Sequence, residues 1–376
     1  MNVSLDHFGV LQIEPTDRCN LSCRMCTPHF EGQAQIHGVP KGIMDLDLYR
    51  HIIDGLVADD ARFDHLIFQW LGDPSLHPGL EDMVAYAQRR LTGRVGYLRI
   101  DTNAIKLNPA RMDRLVQVYT QAPELPLLLV FTVDAHTPET YHHVKGQDAL
   151  HRVRRNIRRF LSRRARLRGD VRLNVQLQFV VQPGNAHELG DFIGYWSDAL
   201  ACYGGGKGYS EIMVKRLSVA AGGEGQREAD LLYERTVDAL GVTDEDWGHV
   251  HIRVWSERPW ASTLEAPGPR PPCAGLWATP VIRHDGHLMM CCADLPGELD
   301  LGDLATQGFR ALWEGAEAER RRLAHIRGAF DEVGPCAACG GINWYHVPPE
   351  VVRGTLARAG AAALWPDYAR RMLSGG

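Results

Sequence analysis

Apolar residues along this chain fall into two rhythms. Runs rich in Val, Ile, Leu and Phe at 10–14, 65–69, 95–100, 127–133, 172–181 and 211–216 read as six strands, and the stretches between them repeat apolar positions at helical spacing. Helix starts are legible as well. Asp45 precedes 46–57, Asn108 precedes Pro109 at a first helical position, and Asn185 or Ala186 leads into 187–200. Six strand–helix units in a row predict an α/β chain whose parallel strands form a partial (β/α)6 TIM barrel. Chemistry in such barrels gathers at the C-terminal ends of the strands. Glu14, Gln69, Trp70, Asp101, Asn103, Thr132, Asp134, Gln178, Lys215 and Arg216 stand at those ends.

Other stretches break the rhythm. Between Arg152 and Arg168 the apolar Val153, Ile157, Phe160 and Leu161 recur at helical spacing, so the arginines form the wet face of an amphipathic helix rather than an RNA patch. No aromatic residues interleave there as a stacking platform. The run Cys202-Tyr203-Gly204-Gly205-Gly206-Lys207-Gly208-Tyr209 is too rich in glycine for helix or strand. It is expected to loop over the barrel mouth, closing on a substrate or serving as a plain connector.

Residues 221–265 begin acidic and partly helical, and Ala266-Pro267-Gly268-Pro269-Arg270-Pro271-Pro272 reads as a stiff linker. Beyond it, Asp285-Gly286 between 278–282 and 287–290 marks a hairpin, and an amphipathic helix is expected near 309–324. The organisation predicted is a barrel over 1–220, a helical connector over 221–265, a small domain over 266–346 and a helical tail over 347–376.

Composition narrows the function classes. With 376 residues, 45% of them hydrophobic, the chain can bury a full core. A net charge of -5 provides no global basic field for nucleic acid. No cationic segment with a following apolar stretch opens the chain, and no apolar run is long enough to span a bilayer, so a cytoplasmic protein without a membrane partner is expected. The nine cysteines fall in an early and a late group, with Cys202 alone between them. In a reducing compartment they argue for metal or redox chemistry over disulfides.

The early group is Cys19-Asn20-Leu21-Ser22-Cys23-Arg24-Met25-Cys26, spaced C-x3-C-x2-C. Three thiolates are one short of the four that saturate a 4Fe–4S cube, which leaves one iron open to a small ligand. A zinc ion is the alternative, with His29 as a fourth donor. In the late group the hairpin carries Cys291 or Cys292 back towards Cys273, and Cys336-Ala337-Ala338-Cys339 adds a second pair. Four thiolates suit either zinc or a fully ligated 4Fe–4S cluster, and spacing alone does not decide.

The early triplet resembles the signature of the radical SAM superfamily, and the segments that follow resemble that family's motifs in order. In the family, S-adenosylmethionine binds the open iron through its amino and carboxylate groups, and Met25 stands where an apolar residue is usual. Trp70-Leu71-Gly72-Asp73-Pro74 is similar to the Gly-Gly-Glu-Pro segment that binds the S-adenosylmethionine amino group. Leu71 departs from its first Gly and Asp73 from its Glu.

Thr102-Asn103-Ala104 resembles the Thr-Asn-Gly after strand three, and Thr132 to Asp134 resembles the Ser-x-Asp run of strand four. Lys145-Gly146 stands for Arg-Gly, while Gln178 and Asn185 mark the end of strand five. For Asp134 and Asn185 a helix cap or turn acceptor is an equal reading. The resemblance thus implies cofactor contacts at Met25, Gly72, Asp73, Asn103, Thr132, Lys145, Gln178 and Asn185.

The late group resembles the twitch or SPASM auxiliary-cluster domain of the same family. On that likeness one further 4Fe–4S cluster is held by Cys273, Cys291, Cys336 and Cys339, with Cys292 as the alternative to Cys291. Single-cluster members of the family oxidise a carbinol in aminocyclitol and aminoglycoside antibiotic pathways, the 2-deoxy-scyllo-inosamine dehydrogenases among them. This resemblance implies a dehydrogenase acting on a small sugar or aminocyclitol, with a flavodoxin- or ferredoxin-type reductant. Its proton acceptor is one of Glu14, Asp134, Lys215 and Arg216, and each of these could equally be a buried ion-pair partner. An epimerase returning hydrogen from Cys202 or Cys292, a peptide maturase, and a non-catalytic scaffold binding RNA are the rival expectations.

Overall fold

The computed structural model describes residues 7–26, 35–36, 39–204, 208–218, 223–247, 250–255, 269–339, 341 and 345–373. His29, Gly205 to Lys207 and Ala266 to Gly268, named above, lie outside the described residues.

Six parallel strands form the barrel wall: β1 (Val10–Ile13), β2 (His65–Phe68), β3 (Leu98–Thr102), β4 (Leu127–Thr132), β5 (Leu173–Val181) and β6 (Ser210–Arg216). Each pairs with the next in sequence order. Helices α1 (Leu46–Ala58), α2 (Leu80–Leu91), α3 (Pro109–Gln121), α4 (Pro138–Lys145), α5 (Leu150–Arg164) and α6 (Leu189–Gly204) fill the connections. Caps fix several of them. Asp45 accepts from the amides of Asp47 and Leu48, and Asn108 accepts from Arg111, each cap contributing about 1 kcal/mol.

Alternation along the strands sorts the two faces of the wall. On β3, Leu98 and Ile100 are fully buried in the apolar core, whereas Arg99 and Asp101 lie on the opposite face and pair with each other through two bonds of 2.6 Å. Polar partners line that inner face elsewhere too, as where Gln176 donates to Glu211. The interior of the barrel is therefore polar, and the apolar core sits between wall and helices.

The wall does not stop at six strands. After α7 (Gly223–Leu240) the chain forms β7 (Glu245–Trp247) and β8 (Val250–Val254), and β8 pairs in parallel with β6. On the other edge β9 (Val281–Ile282) pairs in parallel with β1 and continues antiparallel into β10 (His287–Met289) and β11 (Asp300–Asp303). Among the described residues these make one sheet of eleven strands. The late-cysteine region also holds α8 (Gly275–Ala278), α9 (Phe309–Trp313) and α10 (Ala316–Arg327), and α11 (Pro349–Arg358) and α12 (Trp365–Leu373) follow.

The α/β partial barrel is as expected, with local differences. The third strand begins three residues later than predicted, because Val95 closes a turn with Leu91 and the ladder starts at Leu98. The stretch read as a helical connector also supplies β7, too short to carry a periodic signal, and β8, whose alternating Val-His-Ile-Arg-Val is a strand pattern that the connector reading passed over. The helix expected near 309–324 is two helices, broken at Glu314 and Gly315. Of the glycine-rich run expected over the barrel mouth, the described ends lie elsewhere: Cys202 to Gly204 finish α6, and Gly208 and Tyr209 lead into the N-terminal end of β6, opposite the mouth.

Candidate functional site

The early cysteines sit on the loop that leaves β1 at its C-terminal end. Three backbone contacts hold it against its neighbours, and a fourth closes the loop on itself. Ser22 and Arg24 donate to the carbonyls of Lys145 and Val144 at 3.3 and 3.1 Å, Asp73 donates to Arg18 at 2.9 Å, and Cys26 turns back to Cys23 at 3.0 Å. Two glycines permit the close approach. A side chain at Gly72 would meet the carbonyl oxygens of Thr16 and Arg18, and one at Gly146, whose φ is +75°, would strike Ser22 Oγ.

The donor set fits a cluster. Burial first, then Asp73 and the other two thiols, push Cys19 up to about 12, the behaviour of thiols crowded together without a cation among them. Cys23 is also raised by burial, with Lys145 pulling the other way. Beside the triplet, Asn20 accepts from Asn103 Nδ2 at 3.1 Å while its own Nδ2 is buried without a partner. That orphaned donor is an opening for a polar ligand.

The residues matched to cofactor contacts divide. Met25 meets Gln182 Nε2 through its sulfur at 3.4 Å, which ties the cluster loop to the exit of β5. Gly72 packs against the carbonyls of Thr16 and Arg18, Asn103 donates to Asn20 on the loop, and the partly buried Thr132 donates to the Thr102 carbonyl at 3.5 Å. Gln178 is buried at the end of β5, and its carbonyl accepts the amides of Val133 and Asp134.

Asp73 does not have a free carboxylate. It accepts from the amides of Ser75 and Asn103 at 2.8 and 2.7 Å, from Ser75 Oγ and from Thr102 Oγ1, so it ties strand ends together. Asn185 is likewise fully used, accepting from Gln182 N and donating to the carbonyls of Asp134 and Val180. Its turn role, held open from the sequence, is the one its contacts describe. Lys145 is 2% exposed and pairs with the fully buried Asp134. Burial works against its ammonium, but Asp134 and then Cys23 more than offset this and raise its pKa.

Of the four residues offered as proton acceptors, two are committed elsewhere. Asp134 is held by Lys145 and by the Val180 amide at 2.7 Å. Arg216 reaches back to α7, with Glu234 at 3.2 Å and the Tyr233 ring at 4.3 Å. Glu14 is 1% exposed and accepts from Leu71 N at 3.0 Å. Burial raises it to about 7, against the Leu71 hydrogen bond.

Lys215 is different. Its Nζ lies 5.1 Å from the Trp255 ring centre, and among the described residues it has no hydrogen-bond or ion-pair acceptor. Burial, followed by the charge of Arg99, lowers its pKa against the pull of Asp101 and Asp134.

In the late group, Cβ atoms built on Gly275 would lie 3.0 Å from Cys291 Sγ and 3.4 Å from Cys273 Sγ, and one on Gly341 would lie 3.4 Å from Cys273 Sγ. Glycine thus keeps clear a space that the thiols surround. Burial, then Cys291, Cys273 and Cys339, raise Cys336, so the four sulfurs gather at one place. Cys292 also neighbours Cys273. It packs, however, against Trp70 and Leu71, and its carbonyl accepts Trp70 Nε1 at 2.9 Å. Cys202 is exposed at the last turn of α6.

Sequence reading did not single out Trp255 or Asn20. Trp255 follows the alternating strand β8, within the stretch read as a helical connector, and Asn20 looked like part of the cysteine spacing.

Comparison with known proteins accords with this geometry. Residues 13–168 match the model of the radical SAM superfamily, and residues 273–340 match that of an iron–sulfur cluster-binding domain, SPASM. The tungsten-containing aldehyde ferredoxin oxidoreductase cofactor-modifying protein of Pyrococcus furiosus is 24% identical over 290 residues, which span 75% of this chain and 70% of that protein.

Among solved structures, anSMEcpe with bound AdoMet overlays 96% of this chain and 97% of its own, with a TM-score of 0.56 at 13% identity. SuiB of Streptococcus suis, bound to precursor peptide SuiA, overlays 90% of this chain and 70% of its own, with a TM-score of 0.55 at 10% identity. At these identities the likeness to solved structures is one of fold. No helix among the described residues is long and apolar enough to cross a membrane.

Proposed function

From the premise that this chain belongs to the radical SAM superfamily and carries an iron–sulfur SPASM domain, we propose that it is a dehydrogenase oxidising a carbinol of a sugar or aminocyclitol to a ketone. When bound, S-adenosylmethionine and a 4Fe–4S cluster on Cys19, Cys23 and Cys26 supply hydrogen abstraction, and a second 4Fe–4S cluster supplies an electron acceptor. Cys273, Cys291, Cys336 and Cys339 hold the second cluster in this reading, and no open iron remains there for substrate. Asn20 and the backbone around Gly72 orient the cofactor. A flavodoxin- or ferredoxin-type donor reaches the first cluster beside the groove of about 760 Å³ bordered by Ser22, Arg24 and His142.

The observation that carries the reading is Lys215. An amine at the C-terminal end of β6, with a lowered pKa and no acceptor among the described residues, is suited to take the hydroxyl proton as the carbinol becomes a carbonyl. The polar inner wall suits a small hydroxylated substrate, and the Trp255 face can cover an apolar C–H surface.

A second reading rests on Cys292, whose position against Trp70 and Leu71 suits an epimerase returning hydrogen from a thiol. One experiment separates the two. Anaerobically reconstituted protein is given S-adenosylmethionine, a reductant and a panel of sugars and aminocyclitols deuterated at the carbinols. A dehydrogenase transfers deuterium into 5′-deoxyadenosine and forms one ketone per 5′-deoxyadenosine. Lys215→Met lowers its turnover roughly 100-fold or more, and Cys292→Ala leaves it intact. A product with inverted stereochemistry, abolished by Cys292→Ala, refutes the dehydrogenase.

A further inference from the structure

Arg270 comes to the late cysteines from the chain just ahead of Cys273. Its Nη1 donates to the Cys336 carbonyl at 2.9 Å, and its guanidinium carbon lies 4.0 Å from the centre of the Phe330 ring. Phe330 meets His325 edge-on with ring centres 4.7 Å apart, and His325 Nδ1 accepts the Cys273 amide at 3.3 Å. His325 is fully buried. Arg270 thus places a fixed positive charge beside the backbone of Cys336. A guanidinium does not lose its proton in a protein. The carbonyl on one side and the ring on the other leave this one little freedom to swing away.

We propose that Arg270 sets the electron affinity of the second cluster. The inference rests on the reading that these four cysteines hold a 4Fe–4S cluster which accepts an electron. Cluster potentials respond to nearby charge, hydrogen bonding and burial. On taking one electron the cluster becomes one unit more negative, so a fixed cation beside its ligands stabilises the reduced form more than the oxidised form. In the proposed reaction that electron comes from the substrate radical left by hydrogen abstraction, the hydroxyl proton goes to Lys215, and the ketone is the product. An acceptor with a higher potential takes the electron more completely. Arg270 acts through the cluster and not on the substrate, so it is a positioning residue for electron transfer.

The test uses the full chain with Cys19, Cys23 and Cys26 all changed to Ala, so that the second cluster is the one titrated, with the two-cluster protein run in parallel. Arg270→Gln keeps a donor for the Cys336 carbonyl and removes the charge, whereas Arg270→Lys keeps the charge. Iron and sulfide analysis establishes occupancy, and a redox titration followed by electron paramagnetic resonance gives the potential. Arg270→Gln is expected to lower the reduced-to-oxidised ratio at a given potential roughly tenfold, a downward shift of about 59 mV for a one-electron couple. Arg270→Lys stays near the parent. An unchanged potential in a fully occupied Arg270→Gln protein overturns the proposal, and so does loss of the cluster in both variants, which would make Arg270 a structural residue. Neither substrate nor S-adenosylmethionine enters this measurement, so a failed carbinol assay and a failed potential shift are separate results.

Discussion

Replacing Lys145 by Met is the sharpest test of how the cluster loop is supported. The ammonium sits at the end of α4 with 2% of its side chain exposed, and its partner Asp134 is fully buried. Asp134 also accepts the Val180 amide at 2.7 Å, so it cannot turn towards solvent when the lysine is lost. Two unit charges at contact attract by about 4 kcal/mol at an effective dielectric of 20. Breaking such a buried pair from one side costs about 3–5 kcal/mol, because the remaining charge is left without compensation. Lys145→Met is therefore expected to destabilise the protein by about that amount. Asp134→Asn should also be strongly destabilising, and the double variant should be less destabilised than the sum of the two.

The assay is urea unfolding of the four proteins of the double-mutant cycle, followed by circular dichroism under anaerobic conditions. Iron content gives a second readout, because Lys145 favours the ionised Cys23 thiol. Lys145→Met should lower iron bound at the early cysteines more than at the late ones. Single losses below about 1 kcal/mol, or strict additivity in the double variant, would refute the reasoning and make the pair incidental.

Three further outcomes follow from the same contacts. Glu14 ionises near 4.5 in an unfolded chain and about 7 in the fold, so the folded state keeps a proton that the unfolded state has lost. Stability should then fall as pH rises through that window, by roughly 3 kcal/mol in total, and Glu14→Gln should flatten the profile; a slope left unchanged in the variant would count against it. Cys291→Ala should lose the iron of the late group while Cys292→Ala retains it, since Cys291 faces the space beside Gly275 and Cys292 turns to Trp70; the opposite pattern in iron analysis would reverse the ligand assignment. Asp73→Ala removes the acceptor for two buried amides and two hydroxyls, and should cost roughly 2–5 kcal/mol in a melting experiment; a loss below 1 kcal/mol would mean that those groups find other partners.

What the sequence made legible was whatever it encodes locally. Six apolar runs of strand length gave six strands, and the caps at Asp45 and Asn108 sit where composition placed them. Cysteine spacing gave the two groups because ligands to one site must return to it over short, countable intervals. One miss was local: Val250-His251-Ile252-Arg253-Val254 alternates apolar and polar residues as a strand does, and the reading of 221–265 as a helical connector passed over it. The other misses are choices made across long separations. Asp73 sits in a motif suggestive of a ligand, yet its carboxylate is claimed by Ser75 and by Thr102 and Asn103 thirty residues on. The flanks of the glycine-rich run, Cys202 to Gly204 and Gly208 to Tyr209, fall at the end of the barrel that strand direction decides and composition does not. Lys215 and Arg216 are adjacent and looked equivalent, and they separate only because alternation sends one to Trp255 and the other to α7.

The two cysteine groups share one element, and this bears on their spacing. β1 ends at Ile13 and the chain runs directly into the early cysteine loop, while β9 ends at Ile282 and runs through the hairpin to Cys291. The two strands are neighbours in register, with Gln12 donating to Pro280 O at 3.0 Å and Glu14 donating to Ile282 O at 2.9 Å. Across the mouth, Trp70 Nε1 closes onto the Cys292 carbonyl. A backbone ladder between adjacent strands, with a spacing of about 4.8 Å, fixes the separation of the two groups in a way that a side-chain interface between domains does not. Swinging the late group away from the barrel would break the β1–β9 ladder before it stretched a loop. The separation of the two cysteine groups is thus a property of the sheet, and in the proposed reaction what remains adjustable is the charge placed beside the late group.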